Sequence, residues 1–564
     1  MTGGHQVVPG RAQALLEGEK LRYALLFEAE SIQAYLHGTN RLRDAVGASQ
    51  IVDSICGSFD TTGGDLLSRV LRAVLPTDRP ADPAFSRRGG GAFIALFDDS
   101  DHRDRVRALW ALALTREAPG LSWTDAVADE ADDLTAARVG MKALREARLW
   151  RAPALPELGP MVLRAPRTGA AAVAAHVIGG AVEFVDGATQ AKQAAGRRAR
   201  LVTGRFMPEP PMAGEAHWPS RLSVDDDEQP DERDVFPLLA EQNEIAFLHA
   251  DGNGLGAALQ ALAESLVGRP QDYTSVYASF SRAISRATVA AARAATAQVL
   301  LPARDRLGRI PARPLVLGGD DLSIIVRPDL AVAFAESFLT AFEAQTRLEL
   351  APFVARGCPV QLTAACGIGV VHARHPFGRA AALAEWLCGQ AKARTRRRLG
   401  RTSNLPSTLM LHQETGSLPA DDADWLAGNT FRLPGNAGSL SLQGGPYALG
   451  DHHPLRSLAG LQGLANLLAR DSVSTSGLRE ALGQLAPGRD DSACRRTWQR
   501  WRKALDRRDS GTLAHVDNAL LALGVDQPAA WPFGVDEPSL RSTPILDAML
   551  LCSWQTVAPE PAHG

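Results

Sequence analysis

The segment Pro314-Leu315-Val316-Leu317-Gly318-Gly319-Asp320-Asp321-Leu322-Ser323-Ile324-Ile325-Val326 sets two short apolar runs, rich in β-branched residues, on either side of a Gly-Gly-Asp-Asp tip. That pattern predicts a β-hairpin. The glycines Gly318 and Gly319 give the turn backbone freedom and let a nucleotide approach the main chain. Asp320 and Asp321 then sit side by side at an exposed tip, where their charges repel. A divalent cation relieves that repulsion, and hard oxygen ligands suit Mg²⁺ or Mn²⁺.

Upstream, Ile245-Ala246-Phe247-Leu248-His249-Ala250-Asp251-Gly252-Asn253-Gly254-Leu255-Gly256 reads as an apolar strand ending at Asp251, a glycine-rich turn, and an Ala/Leu-rich helix from about Leu255. The loop Gly252-Asn253-Gly254 leaves backbone N–H groups free for phosphate oxygens at a helix N-terminus. Asp251 at a strand end, facing the two-aspartate hairpin of a neighbouring strand, is the arrangement that two-metal phosphoryl transfer requires. One ion activates a ribose hydroxyl; the other holds the triphosphate and the departing pyrophosphate. Asp-Gly-Asn-Gly alone is also an ordinary turn or a partial calcium loop. The two motifs in this order, each on its expected strand, carry the functional reading.

Several function classes are disfavoured by the whole chain. A length of 564 residues implies three to four domains. Hydrophobic residues at 45% and charged residues at 22% are those of a globular protein. With no apolar run of membrane-spanning length and no signal-peptide core before Lys20, the cytoplasm is the expected compartment and no membrane partner is expected. A net charge of −3 argues against coating nucleic acid by bulk electrostatics, while leaving a local basic face open. Cys56, Cys358, Cys366, Cys388, Cys494 and Cys552 are dispersed without a Cys-x-x-Cys pair, which disfavours a zinc site or a disulfide framework.

Taken in order, residues 1–20 read as a tail and 21–140 as a first α+β unit. Arg22–Glu30 reads as a strand, Leu42 through Ile55 has helical spacing, and Gly89-Gly90-Gly91 opens the strand Ala92–Phe97. The same strand, helix, glycine turn, strand order recurs in residues 236–415, so an internal duplication is expected. The first copy has no aspartates at its hairpin and no metal is expected there. Residues 141–235 form a helical and linker region with a solvated acidic run, Asp225-Asp226-Asp227-Glu228. In the second copy, Leu330–Leu348 predicts a helix with Phe334, Phe338, Leu339 and Phe342 in the core. Leu362–Val371 predicts a strand, and Arg379 to about Thr395 a helix carrying Lys392. Lysine is scarce in this chain. Lys392 suits a triphosphate contact, or equally a solvated helix end favoured by the helix dipole. Residues 416–564 read as a C-terminal helical domain. In it Trp498 and Trp501, among Arg495, Arg496, Arg500 and Arg502, are either core residues or a nucleic-acid patch.

Phe27-Glu28-Ala29-Glu30-Ser31-Ile32-Gln33, followed by Arg41-Leu42-Arg43-Asp44-Ala45-Val46-Gly47-Ala48-Ser49, resembles the opening of the first palm domain in the large polymerase/cyclase subunit of type III CRISPR effector complexes. Asp251–Gly256, Gly318–Asp321, Gly367-Ile368-Gly369-Val370-Val371-His372 and Ala391-Lys392 resemble the second palm, in family order. The resemblance covers about residues 21–415. It implies an α+β fold of two ferredoxin-like palms with a helical linker and a helical C-terminus. It further implies a catalytic second palm that converts ATP into cyclic oligoadenylates. Asp251, Asp320 and Asp321 would be its ligands for two Mg²⁺ or Mn²⁺ ions, and Lys392 its triphosphate contact. ATP, guide or target RNA and other type III subunits are the expected partners, with a homodimer through the palms as a further expectation. There is no His-Asp dipeptide, so the family's N-terminal nuclease is expected to be absent. The stretch 159–192 is a cysteine-free echo of the family's zinc finger, and Asn253 stands at the family's second acidic loop position. A catalytically silent scaffold that binds guide RNA and other subunits is the alternative reading.

Overall fold

A computed structural model of the protein describes residues 21–59, 63–75, 83–149, 159–178, 181–197, 199–209, 215–222, 231–239, 243–400, 405–416, 425, 427–434, 438–486 and 490–555. The N-terminal tail and the acidic run Asp225–Glu228 lie outside these residues.

The apolar stretch after Leu21 forms strand β1 (Arg22–Glu30), with helices α1 (Ile32–His37), α2 (Leu42–Cys56) and α3 (Leu66–Val74) after it. A hairpin follows, β2 (Ala84–Gly89) and β3 (Ala92–Phe97), then helix α4 (Ser100–Glu117), strand β4 (Ser122–Glu130) and helix α5 (Asp133–Ala147). The residues Arg87-Arg88-Gly89 thus belong to a strand of their own, and the turn is Gly90-Gly91. Both glycines have positive φ, 59° and 75°, the left-handed region that only glycine enters without strain. The strand order is β2-β3-β1-β4 with every neighbour antiparallel, which is ferredoxin-like. Alternate residues of β1 point to opposite faces. Phe27 packs with Phe93 and Trp110 at centroid distances of 5.4 and 5.0 Å, while Ala24 and Leu26 join a cluster with Leu134 and Leu144 of α5. Coverage of both faces explains why this strand reads as a continuous apolar run rather than an alternating one.

A second hairpin, β5 (Ala172–Ile178) and β6 (Ala181–Asp186), leads into helices α6 (Gly187–Gly196) and α7 (Leu201–Phe206).

The ferredoxin-like order then recurs. Strand β7 (Glu244–Asn253) is followed by α8 (Leu255–Ser265), α9 (Tyr273–Ala295), β8 (Ala312–Gly318), β9 (Asp321–Val326), α10 (Pro328–Glu349), β10 (Thr363–His372) and α11 (Phe377–Leu399). Strand β11 (Thr408–Gln413) adds to β10 in parallel. The whole sheet has the order β15-β14-β11-β10-β7-β9-β8, where β14 (Tyr447–Ala448) and β15 (Arg456–Ser457) come from later in the chain. Its β10-β7-β9-β8 section repeats the order of the first sheet. The fold is mixed α+β with one strand arrangement used twice. Phe334, Phe338, Leu339 and Phe342 of α10 are all buried.

In the C-terminal region, helices α12 (Leu458–Leu468), α13 (Thr475–Gly483), α14 (Ser492–Ala522, kinked at Asp509) and α15 (Ile545–Gln555) accompany a small sheet. That sheet is ordered β12-β13-β17-β16, from β12 (Thr430–Arg432), β13 (Ser439–Ser441), β16 (Gly534–Glu537) and β17 (Leu540–Ser542). Its strands, three to four residues long, are too short to show an alternation. All six cysteines are buried and unbridged. Among the described residues no helix is long and apolar enough to cross a membrane.

Two local devices position the β8–β9 hairpin and its surroundings. The first is close packing at Gly367 on β10, where an added Cβ would lie 2.0 Å from the Ala384 carbonyl oxygen and 2.5 Å from the Cys388 nitrogen of α11. The second is a set of side chains holding β8 and the hairpin turn. Thr288 of α9 donates to the Gly319 carbonyl at 2.6 Å, Ser49 of α2 donates to the Leu315 carbonyl, and Arg205 of α7 donates to the Leu317 carbonyl at 2.7 Å while pairing with Asp53. As β8 is the last strand of its sheet, these donors occupy carbonyls that would otherwise be open to another chain.

Gly367→Ala is expected to destabilise the protein by about 1–3 kcal/mol or to prevent folding, because backbone atoms cannot yield to a methyl. Gly389→Ala, on the same helix with open space around its Cα, leaves the melting temperature unchanged or slightly raised, and thermal denaturation of the pair checks this. Thr288→Val removes the bond to the hairpin turn and costs about 1 kcal/mol, whereas Thr288→Ser retains it; denaturant titration of the three proteins reads the difference.

Candidate functional site

Strands β7 and β9 are neighbours in the seven-stranded sheet, so the end of one lies beside the start of the other. Asp251 is near the end of β7. Asp320 is in the turn, and Asp321 is the first residue of β9. The structure brings the three together: each offers a carboxylate oxygen, and these atoms all lie within 4.8 Å of one another. Among the described residues this is the group of acidic, histidine or cysteine side chains arranged to hold a metal ion, and it includes no histidine. Unit negative charges at such a separation repel by about 1 kcal/mol per pair in water, and by about 3 kcal/mol at an effective dielectric of 20. A hard divalent cation fits this donor set.

Lys392 extends from α11 to the same place. Its ammonium donates to a carboxylate oxygen of Asp251 and, at 2.8 Å, to the carbonyl of Gly252. The lysine side chain is 14% exposed against 39% for Asp251, so the cation is the more enclosed partner. Lys392 reaches the strand end because Gly367 and Gly369 let α11 lie close on β10, and β10 pairs with β7 in a register that sets Asp251 opposite Ala365. The neighbouring arginines have different partners: Arg398 pairs with Asp536, and Arg394 donates to the Gly445 carbonyl.

The remaining loop residues are placed as follows. Gly254 has φ 84° and precedes α8 directly, so a residue that tolerates the left-handed region makes the sharp exit from strand to helix. Asn253 is buried; its amide donates to Thr363 Oγ1 at 3.1 Å, and its Oδ1 has no hydrogen-bond partner. Gly319 has φ 61° in the turn, and a Cβ at Gly318 would lie 3.5 Å from the Cα of Gly90. The two glycine turns of the chain therefore approach each other.

Sequence reasoning missed three contributors. Thr288 has no local signal, since its partner at Gly319 is 31 positions away. Arg87 of β2 is reached by the charges of both Asp320 and Asp321, a countercharge that comes from the other hairpin. His249, two positions before Asp251, has its pKa lowered to about 4 by burial, and the positive charge of Lys392 acts in the same direction. It is neutral at pH 7 and adds no positive charge beside Asp251. Trp498 and Trp501 prove to be core: they are buried, stack at 4.9 Å, and donate their indole N–H groups to the carbonyls of Pro528 and Ser474.

Comparison with known proteins places this geometry. The family described as Cas10/Cmr2, second palm domain, matches residues 244–399, the stretch from the start of β7 to the end of α11. No curated protein matches the chain. Among solved structures, the Csm1-Csm4 subcomplex of the type III-A CRISPR-Csm interference complex is similar at 15% identity over 92% of this chain and 71% of the other, with a TM-score of 0.42. The Csm1-Csm4 cassette in complex with cA3 is similar at 14% identity over 72% of this chain, with a TM-score of 0.41; the chain covers 56% of its length. Csm1 in T. onnurineus is similar at 16% identity over 91% and 70% of the two chains, with a TM-score of 0.39. Residues 244–399 thus match the second palm domain of Cas10/Cmr2, and in this stretch the chain resembles the large palm-domain subunit of type III CRISPR effector complexes.

Proposed function

We propose that this chain is a metal-dependent nucleotidyltransferase that makes a cyclic oligoadenylate from ATP in CRISPR-type antiviral defence. A ribose hydroxyl of one ATP attacks the α-phosphate of another, a phosphodiester bond forms, and pyrophosphate leaves; ring closure repeats the step within one molecule. The observation that carries this reading is the convergence of Asp251, Asp320 and Asp321 within 4.8 Å. Those three carboxylates would hold two Mg²⁺ or Mn²⁺ ions, which supply Lewis acidity at the attacking hydroxyl and at the phosphates. The match of residues 244–399 to the second palm supports the same assignment.

Each protein group has a physical role in this scheme. Asp251, Asp320 and Asp321 fix the positions of the reacting groups. The backbone of Gly318 and Gly319 lies against the nucleotide, and the N–H groups at the start of α8, after Gly252-Asn253-Gly254, donate to phosphate oxygens. Lys392, paired with Asp251 when no nucleotide is bound, turns its ammonium to the triphosphate. Catalysis is then chiefly positioning and neutralisation of developing charge. Guide or target RNA and other type III subunits are the partners this reading assigns.

Incubation with ATP and Mg²⁺ or Mn²⁺, with and without RNA, followed by mass analysis, is expected to yield cyclic adenylates and pyrophosphate. Asp320→Ala combined with Asp321→Ala lowers product formation by about a hundredfold or more, and undiminished formation refutes the site. Lys392→Met raises the KM for ATP about tenfold with a smaller change in kcat, the loss expected of a charged hydrogen bond to a bound phosphate. A protein that makes no product yet co-purifies with RNA and partner subunits would be the silent scaffold instead.

A further inference from the structure

We infer that the first segment of α14, ahead of its kink at Asp509, is a docking surface for single-stranded RNA. Between Ser492 and Ser510 this helix carries seven basic side chains and two acidic ones, in a chain whose net charge is −3. Arg496, Arg500, Lys503 and Arg507 are all exposed and recur at spacings of four, three and four residues. At 100° per residue such positions stay within an arc of about 60°, and at 1.5 Å per residue they form a stripe about 16 Å long. Neighbouring charges along it are about 5–6 Å apart.

Other basic residues of the helix are engaged within the fold. Arg495 pairs with Asp491 at 2.7 Å and lies over the Trp531 ring, and Arg502 pairs with Asp517. The stripe is different. No ion pair within 4 Å is made by Arg496, Lys503 or Arg507 among the described residues, and Arg500 has a highly exposed contact with Glu480 at 3.3 Å beside a hydrogen bond to Thr497 Oγ1 at 2.9 Å. An exposed pair of that kind is weak, so a phosphate displaces it readily.

The surroundings indicate what lies on the stripe. No large hydrophobic side chain is exposed between residues 490 and 510, so the surface lacks the apolar centre of a protein–protein interface. Three of the four positions are arginine, whose planar fork suits phosphate. Beside Arg500 is a cavity of about 320 Å³ lined in part by Ser472, Ser474, Thr497, Trp501 and Arg508. Its hydroxyls can exchange hydrogen bonds with a ribose 2′-hydroxyl, and its size admits one nucleotide splayed from a single strand. Trp501, buried, forms part of that cavity's lining, and the arginines of the stripe make the phosphate contact. The inference rests on the reading above only in naming RNA as a partner; binding is measured without ATP, so its failure is distinct from a failure to make product.

The experiment is binding of the full chain to a fluorescein-labelled 30-nucleotide oligouridylate over 50–300 mM KCl. Replacing Arg496, Arg500, Lys503 and Arg507 together by Gln is expected to weaken binding at least tenfold at low salt. It should also reduce the slope of log affinity against log salt by about 2–3, at about 0.7 per phosphate contact for a single strand. Arg496→Gln with Lys503→Gln, which disturbs no ion pair, is expected to remove about half of that slope at an unchanged melting temperature. Wild-type affinity and slope in both variants overturn the proposal. Two further probes discriminate the ligand: an oligothymidylate of equal length that binds as tightly overturns the assignment to RNA. Unchanged RNA binding together with weakened binding of polyglutamate assigns the stripe to an acidic protein and overturns it as well.

Discussion

Three carboxylates whose oxygens lie within 4.8 Å of one another are the constraint around which residues 244–399 are arranged. Such crowding is unfavourable unless the backbone enforces it. Here the enforcement comes from hydrogen-bonded strands: β7 and β9 are adjacent, and a tight glycine turn places two aspartates at the start of β9. Lys392 is paired with one carboxylate, Arg87 is reached by the field of the other two, and burial holds His249 neutral.

Much of the remaining architecture keeps these groups in place. Gly367 removes the side chain that would hold α11 away from β10, and with that clearance Lys392, about one turn beyond Cys388, reaches a strand end. Thr288, Ser49 and Arg205 hold carbonyls of the outer hairpin strand and its turn, so the aspartates are carried on a braced element rather than a free loop. The two ferredoxin-like sheets differ in chemistry more than in topology. Each has a glycine turn in its hairpin, but Gly90-Gly91 carries no acid while Gly319 is followed by two.

At the other end of the chain, the same residue types serve a different purpose. The tryptophans of α14 are core, stacked and hydrogen-bonded through their indole N–H groups. Of the basic residues ahead of the kink, Arg502 is largely buried and paired with Asp517, Arg495 is exposed and paired with Asp491 four residues earlier, and Arg496, Arg500, Lys503 and Arg507 form the exposed stripe, where solvent supports their charges.

Local pattern alone determined several elements of the two ferredoxin-like units. The strands at Arg22–Glu30 and Glu244–Asn253, the Gly-Gly-Asp-Asp hairpin and the helix bearing Phe334, Phe338 and Phe342 follow from β-branched runs, glycine turns and 3.6-residue spacing, which are properties of contiguous residues. The short strands β12–β17 escaped because two to four residues cannot display a period. Tertiary structure decided everything that joins distant positions: which strand lies next to β9, that Asn253 turns its amide to Thr363, that Lys392 rather than an arginine meets Asp251, and that Thr288 and Arg87 belong to the site at all. The reason is physical. Sheet order and helix–sheet clearance are set by packing across the whole domain, and no window of sequence contains both partners of such a contact.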